Sequence, residues 1–380
     1  MKKSLIALAV VSTFAAQAAM AEVTIYGQAN VSFDAINNGA VVNSASANNV
    51  ASNVSRLGFK GSEDLGDGLS AIWQVEQAIA MDTAALGAST VRDTFAGLSS
   101  GSMGTLIAGV HDTPYKMATR GFDQFGDTIA DNRSIMGGAA LHDARLGNVV
   151  AYIAPAFSGL TLAIATATGA EVPQANNVKG NAWSLAALYG AGPINVNFGY
   201  QTITLGTAGS GTLAAGTQNA AGSGLMGLGA AASTAAFVNA KTNAWKLGGS
   251  YDFGQGSVNA VYEKLTFTPN GGSDALNEGN WYLSGKFNIN ANDAIKAAYT
   301  SAGKNNNLTT AQVANTGAHQ FTVGYDHSLS KRTTVYALYS KLSNDALANY
   351  TFSQSTSAAN ANGGVGSAPS VFSLGMKHSF

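Results

Sequence analysis

An all-β fold, closed into a sixteen-stranded antiparallel transmembrane β-barrel, is what this sequence predicts, and three observations predict it. Charge is scarce, alternating apolar and polar runs recur along the chain, and short turns alternate with long loops. Charged side chains make up 11% of the 380 residues, under half of the roughly 25% usual in soluble domains, while 46% are hydrophobic. A soluble protein of this size would lack surface charge. The 45 glycines and only 6 prolines, with abundant Asn, Ser and Thr, suit many strands joined by turns. Cysteine is absent, which fits an exported protein without disulfide staples.

At the amino terminus, Lys2 and Lys3 precede an apolar run over residues 5–14, and small residues lead to Ala19-Met20-Ala21. This is the layout of a secretory signal, with cleavage after Ala21 leaving Glu22 as the mature start. An anchor helix is the rival, but the run falls short of the ~20 residues that cross a hydrocarbon core. The predicted organisation is therefore a signal peptide over residues 1–21 and one barrel domain over residues 22–380. Without the leader, 18 basic residues face 21 acidic ones, and this slight negative charge excludes a polybasic footprint for nucleic acid. No later segment is apolar for long enough to form a spanning helix. In a membrane only a closed sheet then remains, because hydrocarbon offers no partners to unpaired backbone groups.

Each strand is expected to show one face to lipid and the other to water. Ile194, Val196, Phe198 and Tyr200 alternate with Asn195, Asn197, Gly199 and Gln201, and Trp281, Leu283 and Phe287 with Tyr282, Ser284, Lys286 and Asn288. Phe321, Val323 and Tyr325 alternate with Gln320, Thr322, Gly324 and Asp326; Phe372, Leu374, Met376, His378 and Phe380 alternate with Ser373, Gly375, Lys377 and Ser379. A half-buried soluble sheet alternates in the same way, so the repetition along the chain carries the weight. Short turns are expected at residues 61–68, 101–104, 190–193, 254–256, 288–293 and 328–332. Long connections include 37–53, 206–240 and 344–366. Short turns at one end, the periplasmic one, and long loops at the other are the asymmetry of an outer-membrane barrel. About sixteen strands fit between them, too many for side chains to fill the interior, so an open aqueous channel is expected.

Several stretches resemble the porins of β-proteobacteria, of the Neisseria and Burkholderia type. They are Val23-Thr24-Ile25-Tyr26-Gly27, Ser55-Arg56-Leu57-Gly58-Phe59-Lys60-Gly61-Ser62-Glu63-Asp64-Leu65-Gly66, Ile72-Trp73-Gln74-Val75-Glu76-Gln77, Arg92-Asp93-Thr94-Phe95-Ala96-Gly97-Leu98, Ala156-Phe157-Ser158-Gly159-Leu160 and Gly375-Met376-Lys377-His378-Ser379-Phe380. They reach from one end of the mature chain to the other. The resemblance implies a general-diffusion porin of the Gram-negative outer membrane, a multi-pass barrel assembled as a homotrimer, with the third extracellular loop folded inward to narrow the passage. Small hydrophilic solutes and ions would be its cargo, and outer-membrane lipid and lipopolysaccharide its surroundings. The terminal Phe380, with His378 before it, would be read by the outer-membrane barrel insertion machinery. Wall arginines facing an acidic loop are implied at Arg56, Arg92 and Arg145. One departure stands out: Gly109-Val110-His111 occupies the place where the family usually has Gly-Arg, so one wall cation is missing.

Parity of the residues agrees with the wall positions. Arg56 and Lys60 share one face of their strand and Leu57 and Phe59 the other, so apolar residues outward puts both cations inward, and Glu76 also has inward parity. The third long connection, residues 112–143, holds Asp112, Asp123, Asp127 and Asp131 with Lys116, Arg120 and Arg133. Opposed cations and anions across a narrow pore create a transverse field that sets ion preference. The predicted constriction is thus Arg56, Lys60, Arg92, Arg145, Asp123, Asp127, Asp131 and Glu76. The arginines could equally serve only to pin the loop.

No cofactor, metal site or catalytic set is expected. Gly222-Ser223-Gly224-Leu225-Met226-Gly227 matches the dinucleotide fingerprint in letters but lacks a preceding strand and a following helix. The five histidines, His111, His142, His319, His327 and His378, are not spaced as metal pairs; His319, His327 and His378 have outward parity near strand ends, as girdle residues would. Three competitors share parts of the pattern. A barrel enzyme would conduct little current, a substrate-specific channel would show saturable block, and a secreted β-sandwich adhesin would stay soluble without detergent.

Overall fold

A computed structural model of the chain describes residues 22–139, 142–169, 179–206, 238–272, 275–306 and 315–380. The expected signal peptide lies outside the described residues, as do most of the 206–240 loop and the Gly222 to Gly227 pattern. Strand β1 (Glu22–Asn37) pairs first with Arg56–Gly66 and then with Ser46–Ser52, so these two segments are one interrupted strand, β2. Likewise β3 (Leu69–Ala80) pairs with both Ala85–Val91 and Thr94–Ser100, which form β4. There follow β5 (Gly104–Asp112), β6 (Arg145–Ile153), β7 (Leu160–Thr168), β8 (Asn181–Ala191), β9 (Ile194–Thr204) and β10 (Lys241–Asp252). The set ends with β11 (Gly256–Thr268), β12 (Leu276–Asn288), β13 (Asp293–Ala302), β14 (Ala318–Ser328), β15 (Thr333–Asn344) and β16 (Ser370–Ser379).

Every strand pairs antiparallel with the next, and β16 returns to β1, with Gln28 opposite Ser379 and Asn37 opposite Ser370. The sixteen-stranded barrel therefore closes without an edge, as the sequence predicts. At the seam, the Gly27 N–H donates to the Phe380 carbonyl at 3.0 Å and the Phe380 N–H donates back at 3.1 Å. Outward-facing Trp183, Trp281, Leu283, Phe321 and Leu374 are 48–52% exposed, whereas inward-facing Gln201, Tyr282, Gln320, Thr322 and Ser373 are buried. An apolar band of this extent suits hydrocarbon rather than water. Trp245, Tyr262 and Trp281 form a file on it, with ring centroids 5.4 and 4.6 Å apart. His319 stacks on Tyr299 and His378 on Phe380, each at 6.3 Å.

Three expectations need correction. The first short turn is confined to the tip at Asp67 and Gly68, because β2 runs on to Gly66 and carries Glu63 and Asp64 within the strand. The first long connection is shorter than 37–53, since Ser46–Ser52 pairs with β1. The inner wall is also not polar throughout. Ile36, Ala298, Ala302, Ala318, Leu338, Leu342 and Val371 share one buried apolar cluster with Phe122, Phe125, Ile129, Ile135 and Met136 of the third connection and with Ala348, Tyr350 and Phe352 of the last. Burying this surface anchors both connections, at ~25 cal/mol per Å².

Candidate functional site

The third connection begins with a helix whose start is written in its sequence. Thr113 caps α1 (Pro114–Arg120), its hydroxyl accepting from the Lys116 N–H at 3.3 Å, and Pro114 occupies the first turn, where no intrahelical N–H is needed. The helix and the turn after it pack closely against the strands at three glycines. A Cβ at Gly199 would stand 3.1 Å from the Ala118 Cβ and 3.2 Å from the Tyr115 Cα. At Gly248 it would stand 2.7 Å from Phe122 and 2.9 Å from Thr119, and at Gly324 2.8 Å from Phe125. Three inward glycines on β9, β10 and β14 are thus sockets for the segment. Hydrogen bonds fix it between them: Asn197 Nδ2 donates to the Ala118 carbonyl at 2.7 Å, Tyr282 Oη to Asp123 at 2.9 Å, and Gln320 Nε2 to the Ala130 carbonyl at 3.0 Å.

A second anchor is deeply buried. The Tyr115 hydroxyl donates to Glu263, whose carboxylate also accepts from the Gly137 N–H at 2.9 and 3.0 Å. Lys246 pairs with Asp143 at 2.6 Å and lies 4.1 Å from the Tyr115 ring centroid. His142 meets Thr242 at 2.8 Å; burial, with Lys246 beside it, pushes its imidazole down to about 3, so it is neutral at pH 7.

Of the predicted wall residues, Arg56, Arg92 and Glu76 come together, while Lys60 lies over the Tyr26 ring, 5.4 Å from its centroid. Arg56 reaches Asp127 at 3.0 Å, Gln28 at 3.3 Å and Glu76 at 4.0 Å. Arg92 pairs closely with Glu76, which also accepts from the Tyr26 hydroxyl at 3.0 Å. Both arginines adjoin the strand interruptions. The Ser55 hydroxyl, bonded to the Asn30 N–H at 2.9 Å, fills the break before Arg56, and the Arg92 N–H donates to the Glu76 carbonyl at 3.0 Å in the break of β4. Such irregularities re-aim side chains. Arg145 stands apart at the root of the connection, 2.6 Å from Asp93 and 2.9 Å from Asp112, which also holds Lys116 at 2.8 Å. Burial pushes the Lys116 ammonium down, partly offset by Asp112, to about 8. His111, where the family usually has arginine, packs on Phe95 at 5.3 Å; the register shifts there, and a Cβ at Gly109 would meet the Thr94 carbonyl at 2.3 Å.

The loop carboxylates differ from expectation. Arg120 holds Asp131 at 2.7 Å, Asp127 at 3.0 Å and Asp123 at 3.3 Å, and Arg133 adds a contact to Asp131 at 2.9 Å. The Asp123 and Asp131 side chains are fully buried; only Asp127, at 17%, keeps exposure. Burial opposes ionisation of Asp131 and Asp127, yet the guanidinium groups outweigh it and hold both carboxyls below the ordinary range. Arg56, Arg120 and Arg133 thus balance Asp123, Asp127 and Asp131, and the anionic face expected of this loop is largely cancelled by its own arginines.

Inward lysines of the opposite wall join the site although they were not among its expected residues. Lys296 pairs with Asp326 at 2.8 Å and lies 4.9 Å from the Phe125 ring centroid. Among the described residues, Lys60, Lys286 and Lys377 form no ion pair. Lys286 and Lys377 have the inward parity expected of them, but parity alone does not say which inward residues share a cavity.

Comparison with known proteins adds an independent line. A family model described as Gram-negative porin matches residues 6–347. Outer membrane porin protein 32 of Delftia acidovorans is 27% identical over 359 residues, covering 90% of each chain. An outer membrane porin protein of Bordetella pertussis is 28% identical over 391 aligned residues, 91% of this chain and 95% of that one. Among solved structures, the anion-selective porin from Comamonas acidovorans shares the fold with a TM-score of 0.73 at 22% identity, over 95% of this chain and all of its own.

Proposed function

The chain belongs to the Gram-negative porin family and forms an outer-membrane channel for passive diffusion of ions and small hydrophilic solutes; we propose that this channel prefers anions. The passage is taken to be narrowest where residues 121–128 face Arg56 and Arg92, with the third extracellular loop folded inward. The charge balance from this level to the short-turn mouth carries the proposal. Asp127 and Asp326 are each paired with a cation, and Glu76 lies between two arginines, while Lys60, Lys286 and Lys377 are unpaired. Uncompensated cations along a low-dielectric passage raise the local anion concentration. Asp64 and Asp252 lie at the short-turn rim, where water screens them. The name of the Comamonas protein is in line with this preference.

Further parts of the proposal rest on the resemblance, namely a homotrimer and contact of the apolar band with outer-membrane lipid and lipopolysaccharide; removal of residues 1–21 rests on the leader pattern at the amino terminus. Recognition of Phe380 and His378 by the insertion machinery is supported by their place at the seam, where the Phe380 ring covers Gly27. The test of ion preference is the reversal potential of the purified channel under a KCl gradient in a planar bilayer. A chloride-directed potential is expected, and a potassium-directed one would refute it.

A further inference from the structure

We propose that the short-turn half of the passage holds a binding site for small dianions, built by Lys286 of β12, Lys296 of β13 and Lys377 of β16. This deepens, and rests on, the reading of the chain as an open channel. The three lysines line one cavity of about 340 Å³ between the loop segment 121–128 and the wall. Lys286 stands directly opposite Lys296 in the β12–β13 ladder. Like charges so placed repel, and they are tolerated where an opposite charge visits them. The wall supplies only part of that charge, because Asp326 is held by Lys296 at 2.8 Å.

The other carboxylate in the lining, Asp123, is already satisfied by Arg120, the Tyr282 hydroxyl and the backbone N–H groups of Phe125 and Asn132. Lys286 and Lys377 therefore form no ion pair among the described residues; Asp127 acts on Lys377 only through space and is itself held by Arg56 and Arg120. Thr334 of β15 lines the same space, and its hydroxyl is suited to one of an anion's remaining oxygens, whereas the Tyr336 hydroxyl beside it already donates to Asn30 at 3.0 Å. A monoanion would neutralise only one ammonium; a phosphate or a short dicarboxylate engages both through charge-assisted hydrogen bonds. The site opens along the passage, so binding is weak enough for release.

The experiment uses the purified native channel in a planar bilayer, with the current carried by KCl and succinate or inorganic phosphate added at constant ionic strength. Saturable reduction of the current by both, and not by acetate, is expected. Lys286→Gln combined with Lys377→Gln should weaken the block by about tenfold or more, while Lys286→Arg with Lys377→Arg keeps it. Step conductance in KCl alone shows that each variant has assembled, and the single Gln variants serve if the double one has not. Block that does not saturate, that acetate reproduces, or that survives both Gln substitutions overturns the site. A native protein that gives no conducting steps refutes the channel reading instead, a separate result.

Discussion

Replacing Gly248 by valine perturbs the seat of the third connection and nothing on the lipid side. Even the first added carbon would stand 2.7 and 2.8 Å from the Phe122 ring and 2.9 Å from the Thr119 methyl. Carbon atoms in contact rest at roughly 3.5–4.0 Å, so the overlap is close to 1 Å before the two methyls are placed. The strand cannot yield, because Gly248 is locked between Asn197 of β9 and Val261 of β11 in the ladder. Phe122 must therefore leave its socket, at a cost of about 1–3 kcal/mol by analogy with overpacked cores. Displacing this segment from the wall loosens the proposed narrowing, so single-channel conductance in KCl should change and vary from channel to channel, while assembly persists. The neighbouring Gly249 is the control: its Cβ would point outward, with no contact nearer than the Asn195 carbonyl at 3.9 Å. Conductance identical to native in Gly248→Val, or altered equally in Gly249→Val, would refute the socket.

Other perturbations probe the wall, the buried anchor and the seam. Arg56→Ala and Arg92→Ala should each shift the reversal potential toward cations without preventing assembly; Arg92→Ala also leaves Glu76 with the Tyr26 hydroxyl and, as its cation, only Arg56 at 4.0 Å, so a stability loss of up to about 3 kcal/mol is expected in thermal melts. His142, with its folded pKa of about 3 against an ordinary 6.5, binds fewer protons folded than unfolded, so its contribution is complete above pH 6.5 and lost as pH falls toward 3. Melting temperature should decline over that window, less steeply in His142→Gln. Phe380→Ala removes the ring over Gly27 at the closing seam and should lower the yield of inserted barrel, read from outer-membrane fractions, without altering the conductance of channels that do form.

The barrel was legible because lipid and water impose a period of two on every strand, and the Trp281 and Phe321 runs show it plainly. Interruptions were less so: Ser55 and Arg92 break their strands through side-chain and cross-strand bonds that no periodicity announces. The wall cations Arg56 and Arg92 followed from parity and resemblance. Neutralisation of the loop acids did not, although Arg120 and Arg133 were in view, because which carboxylates a guanidinium meets depends on a turn that closes in space. The glycine sockets were hidden for a related reason. Gly199 and Gly248 look like ordinary strand glycines until the element they admit, some 80 to 130 residues earlier in the chain, is brought against them.

The central claim is a closed wall round an open, water-filled passage, and single-channel recording of the purified native chain tests it most directly. Discrete steps are expected, grouped in threes and growing in proportion to KCl concentration. A chain that inserts yet yields no steps, or that remains dissolved as a monomer without detergent, would contradict it.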